Sequence, residues 1–145
     1  MPAWVNEGVR VYQKRLPRHL QLEFRELPAA QRSAGSTPDM LRQKEGESML
    51  RAITDQTRVI ALDEHGTGWT SGELATQLQH WMGNYPQVAF LIGGADGLAD
   101  ACKRRADVLW SLSPLTLPHA LVRVVLAEQI YRAWTLVQGH PYHRE

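Results

Sequence analysis

A single cysteine, Cys102, in 145 residues excludes an internal disulfide and suits a reducing compartment. Surplus charge is lacking too: 16 Lys and Arg against 15 Asp and Glu leave a formal +1, far from the basic excess of proteins that grip naked duplex through many phosphates. No apolar stretch is long enough to span a bilayer, and the N-terminus carries no charged and hydrophobic leader pattern. Repeats, low-complexity stretches and linkers are absent as well. These absences leave the expectation of one cytoplasmic domain spanning residues 1–145, with no membrane and no metal. Its 43% hydrophobic and 21% charged residues let a core form without staples. Action on RNA then has to rest on local basic spots, on shape, or on a large preassembled target. The spots are Lys14, Arg15 and Arg18, then Lys103, Arg104 and Arg105, and solvated helix faces account for them equally well.

The apolar residues that are present fall into two rhythms. Val5, Val9, Tyr12 and Leu16 recur at helical spacing and predict a helix over residues 4–16, stopped by Pro17. Residues 20–27 alternate Leu20, Leu22 and Phe24 with polar neighbours, predicting a strand with one wet face. Residues 28–38 read as an exposed loop, and Thr37-Pro38 as the start of a helix reaching about Ile53 despite Gly46. Short apolar runs at 58–63, 88–92 and 108–112 have the character of buried parallel strands. Between them lie a glycine-bearing loop at 64–69, a helix capped by Ser71, and a short helix carrying Cys102 and the second basic spot. A long helix from His119 to about Val137 follows, with Val122, Leu126, Ile130 and Trp134 on one side; the tail from Gly139 is expected to lack regular structure. Alternation of this kind implies an α/β fold, a parallel sheet covered by helices on both faces.

Ligands of open α/β sheets bind beyond the carboxyl ends of the strands, which singles out three segments: Leu62-Asp63, the glycine-rich residues 93–97, and residues 112–118. Gly93 and its neighbours allow close backbone approach by a ligand, and a tight turn with no ligand fits them equally. They lack the dinucleotide spacing and the lysine of a phosphate-binding loop, which disfavours a triphosphate and leaves a neutral or cationic nucleoside. The loop Leu112-Ser113-Pro114-Leu115-Thr116-Leu117-Pro118 is apolar and twice interrupted by proline; its free N–H and C=O groups either meet an adenine edge or find partners in the protein. His119 opens the long helix, where first-turn N–H groups favour negative charge, and suits capping or catalysis. His140, His143 and Glu145 lack a second ligand cluster, so no metal site is expected. Cys102 reads as packed or as a reactive thiol.

The same segments carry a family resemblance. The matching residues are 44–47 (KEGE), Leu62-Asp63, 90–97 (FLIGGADG), 110–119 (WSLSPLTLPH), 121–124 (LVRV), Glu128, 131–134 (YRAW) and 140–145 (HPYHRE). In these the chain resembles the ribosomal RNA large subunit methyltransferase H family, pseudouridine-N3 methyltransferases of the SPOUT class. The resemblance implies a C-terminal trefoil knot, a homodimer, and S-adenosylmethionine held by Leu62, Gly93, Leu112, Ser113, Pro114, Leu115, Thr116 and Leu117. The acceptor it implies is N3 of a pseudouridine in large-subunit RNA of the assembled ribosome. His119 is then the first candidate base, Arg144 an anion stabiliser, and Tyr142 and His143 groups that hold the target base. Arg123 and Arg132 suit RNA phosphate or helix-face salt bridges. In one respect the pattern departs: family members usually open with a strand of about ten residues ahead of the Met1-Pro-Ala-Trp4 stretch. Its absence is expected to leave neighbouring strand groups unpaired. A non-catalytic ribosome- or nucleotide-binding protein on the same fold is the alternative.

Overall fold

Residues 1–27, 31–94 and 96–144 are described by the computed structural model, His143 and Arg144 by their backbone alone. Ala95 and Glu145, which belong to two of the segments singled out above, lie outside the described residues. The chain divides into two units, one built from Met1–Phe24, Trp69–Asn84 and Leu115–Glu145, the other from Arg25–Gly68 and Tyr85–Pro114.

The second of these holds the sheet. Its strands are β1 (Arg58–Gly68), β2 (Val88–Leu91) and β3 (Val108–Ser111), all parallel in the order β2-β1-β3. Ile60 pairs with Phe90 on one side and Val108 on the other, and Val59, Ile60 and Ala61 are fully buried, as a central parallel strand demands. Two helices complete this unit, α2 (Pro38–Arg51) and α4 (Asp100–Arg105). Thr37 caps α2, its hydroxyl accepting from the Met40 N–H at 3.2 Å. Gly46 is not a weakness in α2 but its contact with α4: a Cβ there would lie 2.7 Å from the Ala99 Cβ and 3.2 Å from the Cys102 sulfur. Cys102 is fully buried with Val59, Ala61, Leu91, Leu98 and Ala99, and burial pushes its thiol pKa up, so it is a packing residue rather than a reactive one.

In the other unit α5 (His119–Gln138) packs against α1 (Ala3–Arg15) and α3 (Ser71–Asn84). Val5, Val9 and Ala127 form one buried cluster of this unit, with Tyr12, Leu22, Phe24 and Val124 around them. Gly139, with φ +70°, ends α5, since a left-handed residue costs glycine little.

Four expectations from sequence need correction. Residues 20–27 are not a strand: Leu22 and Phe24 do turn inward, but a strand exists only with a pairing partner, and the Leu22 carbonyl accepts from the Gln13 side chain at 2.8 Å. Residues 64–68 are not a loop. They continue β1 past a register shift between Leu62 and Thr67, and Gly66 makes this possible because a Cβ would sit 2.6 Å from the Leu109 carbonyl. The cap of α3 is Thr70 rather than Ser71. Thr70 and Glu73 exchange hydrogen bonds at 3.1 and 3.2 Å in a capping box, while the Ser71 hydroxyl donates to Gln129. Finally, the tail does have regular structure, a 3-10 turn at Pro141–Arg144.

Candidate functional site

Parallel strands end on the same side, so the pairing of Ala61 with Leu91 and of Leu62 with Trp110 brings three predicted segments to one edge of the sheet. Leu62 stands at that edge in β1, Gly93 two residues beyond β2, and Leu112 next after β3. All three are half-buried. Asp63 beside them is held by two partners, the Lys103 ammonium at 3.5 Å and the His65 N–H at 3.1 Å. Lys103 therefore serves the sheet edge. Arg105 likewise turns inward, donating to the Thr54 and Thr57 carbonyls at 3.1 Å. Of the basic triplet only Arg104 keeps the exposed character that an RNA contact would need.

The glycine turn after β2 has an internal reason for its composition. A Cβ on Gly93 would lie 2.7 Å from the Gly97 carbonyl carbon, and Gly97 adopts φ +81°. The Gly97 N–H closes the turn onto the Gly94 carbonyl at 3.1 Å. Close return of the chain, rather than close approach of a ligand, thus accounts for the glycine at 93; its backbone is half-buried at the strand end all the same. The turn is also tied from outside, in a way sequence reading missed. Arg32 donates to the Asp96 carboxylate at 2.7 Å, and Arg42 of α2 donates to the Asp96 carbonyl at 3.0 Å. Separations of 64 and 54 residues hide these contacts from any local pattern.

After β3 the apolar loop begins. The Ser111 hydroxyl donates to the Ser113 carbonyl at 2.9 Å, shaping the first turn. Leu112, Ser113 and Leu117 are half-buried, Pro114 and Thr116 are exposed, and Leu115 leaves 70% of its surface to solvent. A leucine so exposed amid an apolar run is the kind of surface a ligand covers.

The remaining predicted residues belong to the unit with α5. His119 is its exposed first helical residue, preceded by Pro118, which supplies no side-chain cap. Tyr142 is not loose in a tail. Its hydroxyl donates to Glu128 Oε1 at 3.1 Å, its ring meets the edge of Tyr131 with centroids 4.7 Å apart, and the Arg132 guanidinium lies 5.0 Å from the ring centre. Burial first, then the Glu128 carboxylate, hold the phenol well above its usual pKa, so Tyr142 is a hydrogen-bond donor and not a base. Glu128 also accepts from Arg132 at 2.7 and 2.8 Å and from Gln129 at 2.8 Å. Arg132 thereby takes the salt-bridge reading rather than the phosphate one. Glu128, quoted above without a role, emerges as the anchor of the closing turn; its i,i+4 spacing to Arg132 was the only local signal. The His140 ring nitrogen is occupied as well, accepting from the Tyr142 N–H at 3.1 Å. The side chains of His143 and Arg144 lie outside the described residues. Among the described residues no helix is long and apolar enough to cross a membrane, and no three His, Cys, Asp or Glu could share a metal ion.

Comparison with known proteins identifies relatives of the chain. Residues 1–143 match a family described as predicted SPOUT methyltransferase. Across 145 residues, all of this chain and 93% of the relative, it is 50% identical to the ribosomal RNA large subunit methyltransferase H of Hahella chejuensis (strain KCTC 2396). The protein of that name from Thioalkalivibrio sulfidiphilus (strain HL-EbGR7) is 50% identical over the same span and share.

Proposed function

The chain belongs to the SPOUT methyltransferase family, and from that premise we propose that it methylates N3 of a pseudouridine in the large-subunit (23S) RNA of the assembled ribosome, with S-adenosylmethionine as donor. The observation that carries this reading is 50% identity, over the whole chain, to proteins named for methylation of large-subunit ribosomal RNA. Residues 1–145 act as one methyltransferase domain in a cytoplasmic homodimer, and the chain after Leu112 threads back through a trefoil knot before the last helix.

The residues suit an adenosyl group. Half-buried Gly93, Leu62 and Leu112 follow one another across the carboxyl ends of the three parallel strands, and no lysine stands in residues 93–97 to meet a triphosphate. Leu62, Gly93, Leu112, Ser113, Pro114, Leu115, Thr116 and Leu117 would hold it. When bound, it supplies an electrophilic methyl carbon on a sulfonium. The chain's own residues then have two tasks. An imide N–H is a poor nucleophile until its proton leaves, and exposed His119 is the group proposed to take it. Arg144 would stabilise the resulting anion and His143 would hold the target ring. Tyr142 joins this set by seating the turn that carries both, through its bond to Glu128. Near-zero net charge supports a folded ribosomal surface as the substrate in preference to free RNA.

Transfer of labelled methyl from S-adenosylmethionine to ribosomes, followed by mapping of the modified base, tests the proposal. Label on a pseudouridine of the large-subunit RNA is expected. No transfer to any ribosomal preparation, or equal transfer to protein-free RNA, would contradict it.

A further inference from the structure

The Gly93–Gly97 turn carries three glycines, and one of them, Gly97, sits at φ +81°. Such a segment has more unfolded freedom than a glycine-free chain of its length, so holding it in one shape is helped by outside contacts. One residue of the turn supplies the handle. Asp96 has both its main-chain and its side-chain acceptor occupied, each by an arginine from a different part of the unit. Arg42 reaches its carbonyl at 3.0 Å from α2, and Arg32 reaches its carboxylate at 2.7 Å from the segment ahead of that helix. Arg42 is itself oriented by an ion pair with Asp39 one turn earlier. On the other side of the turn, the Glu45 carboxylate lies 3.2 Å from where a Gly94 Cβ would be, so the same helix also bounds Gly94. The Asp96 side chain is only 16% exposed, which places its pair with Arg32 in partial shelter from solvent.

We infer that Arg42 and Asp96 are positioning residues for the methyl donor: gripped by the arginines, Asp96 fixes the turn so that the Gly93 backbone presents its hydrogen-bonding groups in the orientation the donor binds. Neither residue touches the reacting atoms. The inference rests on the proposed placement of Gly93 at the cofactor. It goes further by making α2, an element with no assigned part in the site, responsible for donor affinity.

The test compares Arg42→Ala, Arg42→Lys and Asp96→Asn with the unaltered full-length protein. Hydrogen exchange at the turn amides with and without S-adenosylhomocysteine, titration of that compound, separate KM values for donor and ribosome, and thermal unfolding are measured together. Loss of one hydrogen bond from a charged donor should weaken donor binding roughly tenfold in Arg42→Ala. Donor KM should rise in parallel, while ribosome KM and unfolding temperature stay close to the original. Arg42→Lys should recover part of the loss, because an ammonium still donates to a carbonyl. Three results overturn the inference, and they differ. If the compound fails to protect the turn in the unaltered protein, Gly93 is not at the cofactor and the inference falls with that placement. If the turn is protected but Arg42→Ala and Asp96→Asn bind donor normally, the placement stands and the positioning role is wrong. An equal rise in both KM values together with a lower unfolding temperature would also reject it, by showing a general structural effect.

Discussion

The turn after β2 and the turn that closes the chain are both short and polar, yet they are held in opposite ways. Residues 93–97 are determined by their own backbone, with Gly93 pressed on Gly97, and are then braced by arginines. The 3-10 turn at Pro141–Arg144 is seated by one described side chain, Tyr142, on one carboxylate, Glu128. A turn of the first kind fails when a methyl group is added and loosens when a bracing arginine is lost. The second kind has no such backbone constraint and fails when the contacts of the Tyr142 side chain go. Under the proposed function, donor contact and RNA contact fall to segments with different mechanical characters.

The severest way to break the comparison is to delete residues 141–145. Methyl transfer to ribosomes should fall by roughly a hundredfold or more, since misplaced catalytic groups cost at least that much. Donor affinity, measured by titration, should change little; a parallel loss of both would show that the two segments do not act separately. Gly93→Ala attacks the other member. Its methyl would meet main-chain atoms at 2.7 Å that cannot swing aside, so the turn must shift at a cost of about 1–3 kcal/mol, read by denaturant unfolding, with loss of donor binding. Unchanged donor binding would separate Gly93 from the cofactor.

Smaller effects sharpen the contrast. Glu128→Ala removes the acceptor of Tyr142, Arg132 and Gln129 together and should cost about 1–3 kcal/mol, with methylation falling more than donor affinity. Glu128→Gln keeps an acceptor for the phenol and should lie between the two. The mildest effect appears only in alkali. The folded protein holds the Tyr142 proton more tightly than the unfolded chain, whose phenols titrate near ~10. Stability from this group is therefore complete below about pH 10 and drains away as pH rises toward the folded value. Unfolding midpoints followed upward from neutrality should drop more steeply for the unaltered protein than for Tyr142→Phe. Identical slopes would remove the Glu128 anchor from the account.

Legibility from sequence followed the range of the interactions. Strands β1 to β3 and the Thr37-Pro38 start of α2 were readable, because apolar runs and a capping pair act on their immediate neighbours. The three strand-end segments were readable for the same reason, since parallel strands send their carboxyl ends to one side. The strand expected at residues 20–27 failed because alternation describes which face is wet and says nothing about a pairing partner. The extension of β1 through Gly68 failed because glycine signals a loop unless another backbone is known to pass close by.

By itself the sequence determined the α/β rhythm, the absence of an internal disulfide, the apolar loop at residues 112–117 and the family. Local propensity and composition suffice for the first three, while the family is carried by whole motifs that resemble those of its members. Tertiary structure alone decided that Gly46 is a helix contact, that Lys103 and Arg105 serve the sheet, and that Tyr142 is tied to Glu128. It alone brought Arg32 and Arg42 to Asp96. Each of these joins residues far apart along the chain or buries a group that composition would leave in water, and only the folded backbone sets such distances.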